Sequence, residues 1–287
     1  MTQTANPLKA FFRQPAIYIR LPSDGQFWPD GTIDIPVNRE LPVLPMTAMD
    51  EITYRTPDAL FNGAAIVTVV QSCIPNIKNA WHMPNCDLSA ILTAIRIASY
   101  GKAMPLSSDC PACNSTNEFD IDLQAVLGQL GMSDYAETVK KGDLEIYFHP
   151  MDYKNQTDVN LLQFEQQRIL NQLPSAEMSD EEKSNRMNQA VAAITEITIK
   201  AIKNSIKSIR TPQALVTEPE FIEEFLKNCD RNLYVQIRDH AIKLRMNDDF
   251  KPIDVQCPDC QHGYQQQFTL DTATFFDNAS WLLPLSK

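Results

Sequence analysis

Two short segments far apart in the chain carry thiols at a spacing that can grip a metal ion. Cys110-Pro111-Ala112-Cys113 and Cys257-Pro258-Asp259-Cys260 both read C-P-x-C. Two such turns supply the four ligands of a closed tetrahedral zinc site. A single C-x-x-C is a weak signal. Two of them, each with proline after the first cysteine, are a strong one. The expected cofactor is therefore one structural zinc per chain, held by Cys110, Cys113, Cys257 and Cys260. A closed site has no open coordination position for a substrate, so the quartet argues for architecture and not for catalysis.

Two other chemistries use the same thiols. An iron–sulfur cluster is one. Thiol redox exchange is the other, and there the motif opens a helix whose N-terminus lowers the first thiol's pKa. In this chain both motifs run into polar residues and then β-like stretches, Glu118 to Leu123 and Gln267 to Asp271. His262 could replace a thiol as ligand, but it reads better as an exposed turn histidine. Cys73, Cys86 and Cys229 are isolated. That is no disulfide framework, and it fits a reducing compartment. His82, His149 and His240 share no pattern, and no nucleophile elbow, phosphate loop, H-E-x-x-H or dinucleotide fingerprint is present. The expectation is a protein that is not an enzyme.

The 287 residues suggest about two domains. Hydrophobic content of 44% and charged content of 21% belong to an ordinary globular protein. A formal charge of −11 works against binding a phosphate backbone. The knuckle loops carry no lysine or arginine, which weakens the alternative of a zinc-ribbon nucleic-acid module. The N-terminus lacks a signal pattern, and the apolar run from Ala64 to Val70 is too short to span a bilayer. The expected location is the cytoplasm where the protein is made.

The elements that must position the thiols follow from periodicity. Ile17 to Leu21 and Thr32 to Val37 alternate as short strands. Asp58 is placed to cap a helix through Leu60, Ala64, Val67 and Val70 to Cys73, with Gly63 inside it. Asp87 is placed to cap a second helix, stopped by Gly101. Leu144 to Phe148 is β-like, and helices are expected from about 155 to 172, 219 to 229 and 233 to 246. A long helix opens at Ser179 with Glu182 completing a capping box. Its apolar stripe runs on through Ile202, Ile206 and Ile209 to Pro212. The fold class is α+β: short N-terminal strands and helices with a split four-cysteine zinc ribbon, interrupted by a mainly α-helical insertion. The expected domains are 1–124 with the first knuckle, 125–250 as the insertion, and 251–287 with the second knuckle, a closing strand and an apolar tail.

Three features lie outside the metal motifs. Arg96 sits in an apolar helix and is either a snorkelling side chain or half of a buried pair, with Asp50 or Glu51 as partner. Phe11 and Phe12 are the apolar anchors of a loose N-terminal arm. Phe275, Phe276, Trp281, Leu282 and Leu283 make the C-terminal tail unusually apolar. The tail either docks on its own domain or inserts into a partner.

Several segments also resemble a known family by their wording. Leu41 to Glu51, Arg55 to Gly63, Gln71 to Asn79 and Ile91 to Gly101 resemble the T4-like baseplate hub family of contractile-tailed bacteriophages. The later C-P-D-C with its Phe268-Thr269-Leu270-Asp271 continuation is similar as well. The resemblance is most specific over 17–123 and 251–276, and the insertion matches only in general character. It implies a non-enzymatic subunit or assembly factor that joins hub and tail-tube components. The implied partners are other baseplate hub and tail proteins, including the tape-measure protein, and second copies of the chain. No nucleic acid or membrane partner is implied. The implied location is the host cytoplasm during assembly and then the virion tail baseplate.

Overall fold

The computed structural model describes residues 6–56, 62–175, 178–268 and 275–276. Strand β1 (Ile17–Ile19) pairs antiparallel with β2 (Leu41–Val43), with Ile17 opposite Val43. Three helices follow, α1 (Ala48–Tyr54), α2 (Ala64–Cys73) and α3 (Asn85–Tyr100). Hairpin β3 (Ala103–Asp109) and β4 (Thr116–Asp122) carries the first knuckle at its tip, and α4 (Leu123–Gln129) leaves it. Hairpin β9 (Ile253–Gln256) and β10 (Gly263–Gln266) carries the second.

Between them the chain builds a mixed lobe. It comprises β5 (Val139–Lys141), β6 (Leu144–Phe148), α5 (Tyr153–Gln172), α6 (Asp180–Lys203), β7 (Ile206–Arg210), β8 (Leu215–Val216), α7 (Pro219–Asn228) and α8 (Arg231–Asn247). The four strands form one antiparallel sheet in the order β5-β6-β7-β8. The architecture is thus α+β with a four-cysteine cluster, and the intervening segment is richer in strand than the sequence suggests.

The difference arises at Ile206. Helix α6 ends at Lys203, and Ile206 and Ile209 lie in β7 opposite Phe148 and Ile146 of β6. A spacing of three or four fits a helical stripe. β-branched isoleucines facing an available strand edge pack better in the sheet. Lys207 and Arg210 therefore do not complement the helix dipole. The Ser179 capping box with Glu182 is present at the other end of α6.

Two apolar cores result. The first gathers Ile19, Leu41, Val43, Ile66, Val70, Ile91, Leu92 and Ile95 together with Phe250, Phe268, Phe275 and Phe276. The second joins Ile146, Phe148, Ile202, Ile206, Ile209, Ile222, Leu226 and Ile237. Polar clasps tie the lobes. Asn85 N–H donates to the Met151 carbonyl at 2.9 Å, and Tyr153 N–H to that of Met83 at 2.8 Å. At the root of the inserted lobe, Asp248 accepts from the Ser133 N–H at 2.6 Å and from the Tyr135 hydroxyl.

Helix α3 is the central strut, buried from Cys86 to Arg96 apart from Leu88. It starts two residues before the expected cap, so Asp87 lies inside its first turn. The Asp87 carboxylate is fully buried and turns outward from its own helix. It accepts from Ser23 N–H at 2.8 Å, Ser23 Oγ at 2.5 Å and Trp28 Nε1 at 2.8 Å. A loop with little regular structure is thereby fixed to the core. Gly101 ends the helix at φ 87° and ψ 177°, a region essentially restricted to glycine. Gly63 is the residue before α2, at φ 79°, rather than an interior helix position. Asp58 and Leu60 lie outside the described residues.

Arg96 is buried, and among the described residues its hydrogen bond goes to neither Asp50 nor Glu51. Its guanidinium donates to the Phe275 carbonyl and lies over the Tyr100 and Phe275 rings, 5.6 and 5.4 Å from their centroids. Asp50 instead pairs with Arg13 at 3.1 Å, while Glu51 accepts from the Tyr100 hydroxyl at 3.1 Å. Arg13 also donates to the carbonyls of Pro45 and Ser72, which fastens the base of the N-terminal arm.

Replacing Asp87 by alanine strands the Ser23 and Trp28 donors inside the core. The expected loss is about 2–5 kcal/mol of unfolding free energy. Asp87→Asn keeps a carbonyl acceptor and should lose less. Urea denaturation followed by tryptophan fluorescence measures both.

Candidate metal centre

Each knuckle is a tight turn fixed by its own backbone. Asn114 N–H donates to the Cys110 carbonyl at 2.8 Å, and Gln261 N–H to the Cys257 carbonyl at 2.9 Å. Cys110 N–H closes on the Ser115 carbonyl and Cys257 N–H on that of His262, both at 3.0 Å. The two turns therefore share one bonding pattern. The residue after the second cysteine is left-handed in both, φ 57° at Asn114 and φ 60° at Gln261. Asparagine is a usual occupant of that region, so Asn114 was a readable signal. Gln261 gave none.

The four Sγ atoms of Cys110, Cys113, Cys257 and Cys260 all lie within 4.8 Å of one another. Cys110 Sγ is 3.6 Å from that of Cys260, and Cys113 Sγ is 3.7 Å from that of Cys257. A disulfide needs about 2.05 Å, so these are not bonded pairs. A tetrahedron of thiolates about 2.3 Å from a central zinc has edges of about 3.8 Å, close to the two separations here. A multi-iron cluster would spread the sulfurs further, because irons and bridging sulfides must fit between them. The donor set and spacing fit a single thiophilic ion on four ligands. Neither motif opens a helix, so the arrangement of a thioredoxin-like disulfide is absent from both.

The surroundings reinforce this. Cys110 and Cys257 are buried, whereas Cys113 and Cys260 face solvent. Hydrogen bonds from the Ser115 side chain and backbone, then from Cys260, pull the Cys113 thiol down to about 6. A thiol that ionises readily loses its proton to a metal at little cost. The Asn117 side chain sits 3.6 Å from Cys257 Sγ. Its Nδ2 donates to the Tyr264 hydroxyl at 2.9 Å, and that hydroxyl lies 2.6 Å from Ser108 Oγ. Tyr264 on β10 is therefore hydrogen-bonded to both strands of the other hairpin. Asn117, Ser108 and Tyr264 support the centre and were missed by sequence reasoning. Their only sequence trace is that they lie next to the knuckles.

The strand after the second knuckle comes earlier than expected, at Gly263–Gln266, and 269–271 lie outside the described residues. His262 is exposed and contributes its backbone carbonyl to the turn. The outer face of β4 exposes Glu118, Asp120 and Asp122, while Asn117 and Ile121 face inward. Of the apolar residues singled out earlier, Phe11 and Phe12 are exposed, 83% and 57%. Phe275 and Phe276 are not surface anchors. Both are 2% exposed, and Phe276 meets Tyr54 edge to face at 4.8 Å between ring centroids. These rings are consumed in the first core. Trp281, Leu282 and Leu283 lie outside the described residues.

Two knuckles far apart in sequence are thus gathered on one cysteine cluster, with the second core between them in the chain. The comparison with known families adds what the geometry does not give. The family described as T4 bacteriophage base plate protein matches residues 43–277, and the chain belongs to that family. No curated protein and no solved structure matches it. Among the described residues, no helix is long and apolar enough to cross a membrane.

Two measurements test the site. Cys257→Ser should raise amide hydrogen exchange in β3–β4 as well as β9–β10. Loosening confined to β9–β10 would mean that the two pairs hold separate ions. Cys113 should be the first thiol alkylated at neutral pH once a chelator is added. Cys73 and Cys86 should stay inert, because burial pushes both thiols up, Cys73 to about 12. Mass spectrometry of the alkylated chain gives the order.

Proposed function

We propose that this protein is a non-enzymatic structural or assembly subunit of the baseplate hub of a contractile phage tail. It acts through protein–protein contacts and is stabilised by one structural zinc on Cys110, Cys113, Cys257 and Cys260. The family match over residues 43–277 carries this reading. The closed sulfur tetrahedron supports zinc in a holding role, because no ligand position is left for chemistry. The acidic outer face of β4 and the net charge of −11 oppose a nucleic-acid role.

The working division is 1–124 and 251–287 as one body, with 125–250 inserted between them. The second apolar core, drawn wholly from 125–250, supports it. The exposed Phe11 and Phe12 beyond the Arg13 anchor support a role for the arm in partner contact, and Trp281, Leu282 and Leu283 are further candidates. The protein would assemble in the host cytoplasm and take its place at the tail tip, next to other hub proteins and the tape-measure protein.

Elemental analysis of reduced protein should give one zinc per chain. Co-expression with the hub and tape-measure proteins of the same phage should give a complex that survives size-exclusion chromatography. The double variant Phe11→Ser, Phe12→Ser should fold normally but co-elute less with those proteins. A chain that stays monomeric and ignores all of them would overturn the reading.

A further inference from the structure

Cys257 is buried, and the Asn117 carboxamide reaches its sulfur from the other hairpin, 140 positions away in sequence. The thiol donates to Asn117 Oδ1 at 3.6 Å, Asn117 Nδ2 donates to the Tyr264 hydroxyl at 2.9 Å, and that hydroxyl lies 2.6 Å from Ser108 Oγ. Ser108 and Asn117 face each other across β3 and β4, and both are buried. An acceptor oxygen suits a protonated thiol. It does not suit a thiolate, which has no proton to give and calls for donors. As Cys257 bonds to a metal ion its proton leaves to water, and the sulfur takes on negative charge. In the present orientation Asn117 would then hold an oxygen lone pair against that charge, in a buried place where water cannot make up the loss.

We propose that Asn117 is a positioning residue for the metal: its carboxamide reverses when Cys257 becomes a ligand, and Nδ2 then donates to the Cys257 sulfur. The inference rests on the structural-metal reading above. A half-turn of the carboxamide exchanges its oxygen and nitrogen and displaces no other group. The Tyr264 hydroxyl turns with it, donating to Asn117 Oδ1 and accepting from Ser108 Oγ. Three hydrogen bonds then run one way, from Ser108 through Tyr264 and Asn117 to the sulfur, and each strengthens the next. A donor on a charged sulfur makes a stronger bond than the one it replaces. The Cys257 sulfur is thereby aimed by a side chain on β4 that is itself held from β3 and β10. Loading the cluster then joins the hairpins by this relay as well as by the ligand bonds.

NMR on the full reduced chain tests this, with magnetically active isotopes of nitrogen in the protein and of cadmium at the cysteines, since cadmium takes thiolate sites that hold zinc. A scalar coupling should appear between the cadmium and one proton of the Asn117 side-chain amide, carried through the N–H···S bond. Cadmium coupled to the β protons of all four cysteines, without that coupling, overturns the proposal and leaves the metal reading standing. Failure of the four cysteines to hold cadmium or zinc overturns both. Asn117→Asp keeps the size and the acceptor but loses the donor. In competition with a chromophoric chelator it should hold zinc about tenfold or more weakly than the wild type. If Asn117 only supports the fold, this variant lowers the melting temperature with and without metal and leaves the zinc affinity unchanged, and that result overturns the proposal too. Co-elution with the hub proteins reads the assembly role separately.

Discussion

The fold is governed by a single distance constraint: four sulfurs separated by up to 150 positions in sequence lie within 4.8 Å of one another. Once Cys110–Cys113 and Cys257–Cys260 meet, the chain between them has to leave and return at one place. The two hairpins are then obliged to lie side by side, and their inward residues Met104, Leu106, Phe119, Ile121 and Ile253 face the first core. Short two-stranded hairpins are marginal alone. The shared cysteine cluster, the Tyr264 contacts and that core supply what each hairpin lacks.

Polar groups do the rest of the long-range fastening. Asp87 holds the loop at Ser23 and Trp28, Arg13 holds the arm to α1 and α2, and Arg96 holds the main chain at Phe275. Each is a charged group taken mostly out of water and compensated by several specific partners. Such a group adds less to net stability than apolar filling would, but it tolerates only one arrangement of its neighbours. A body assembled from short strands and irregular loops depends on that selectivity, because its regular elements alone do not define where the loops lie.

Much of this was legible in sequence because it is local or patterned. The two C-P-x-C turns identify the four cysteines that cluster by spacing alone. Ser179 and Glu182 mark the start of α6, and Leu144 to Phe148 reads as a strand. What was illegible depends on partners supplied from elsewhere. Ile206 and Ile209 fit a helix stripe until β6 is there to pair with them. Arg96 has acidic residues within plausible reach, yet the acceptor it meets among the described residues is a carbonyl 179 positions away. Asp87 resembles a helix cap, because nothing local reveals that Ser23 and Trp28 converge on it. Phe275 and Phe276 look like an exposed anchor for the same reason. An apolar tail is ambiguous until the groove that takes it is known.

The Asp248 clasp changes the size of the ring that the cysteine cluster closes. Counted along the chain, Cys113 and Cys257 are 144 positions apart. With Ser133 and Tyr135 already bound to Asp248, the shortest path between the cysteines shrinks to about thirty residues, and closing the ring becomes roughly 1.4 kcal/mol less costly in entropy. An inserted lobe that folds first thus acts as a splint. It presents two distant knuckles to each other as though they belonged to a short, nearly continuous ribbon.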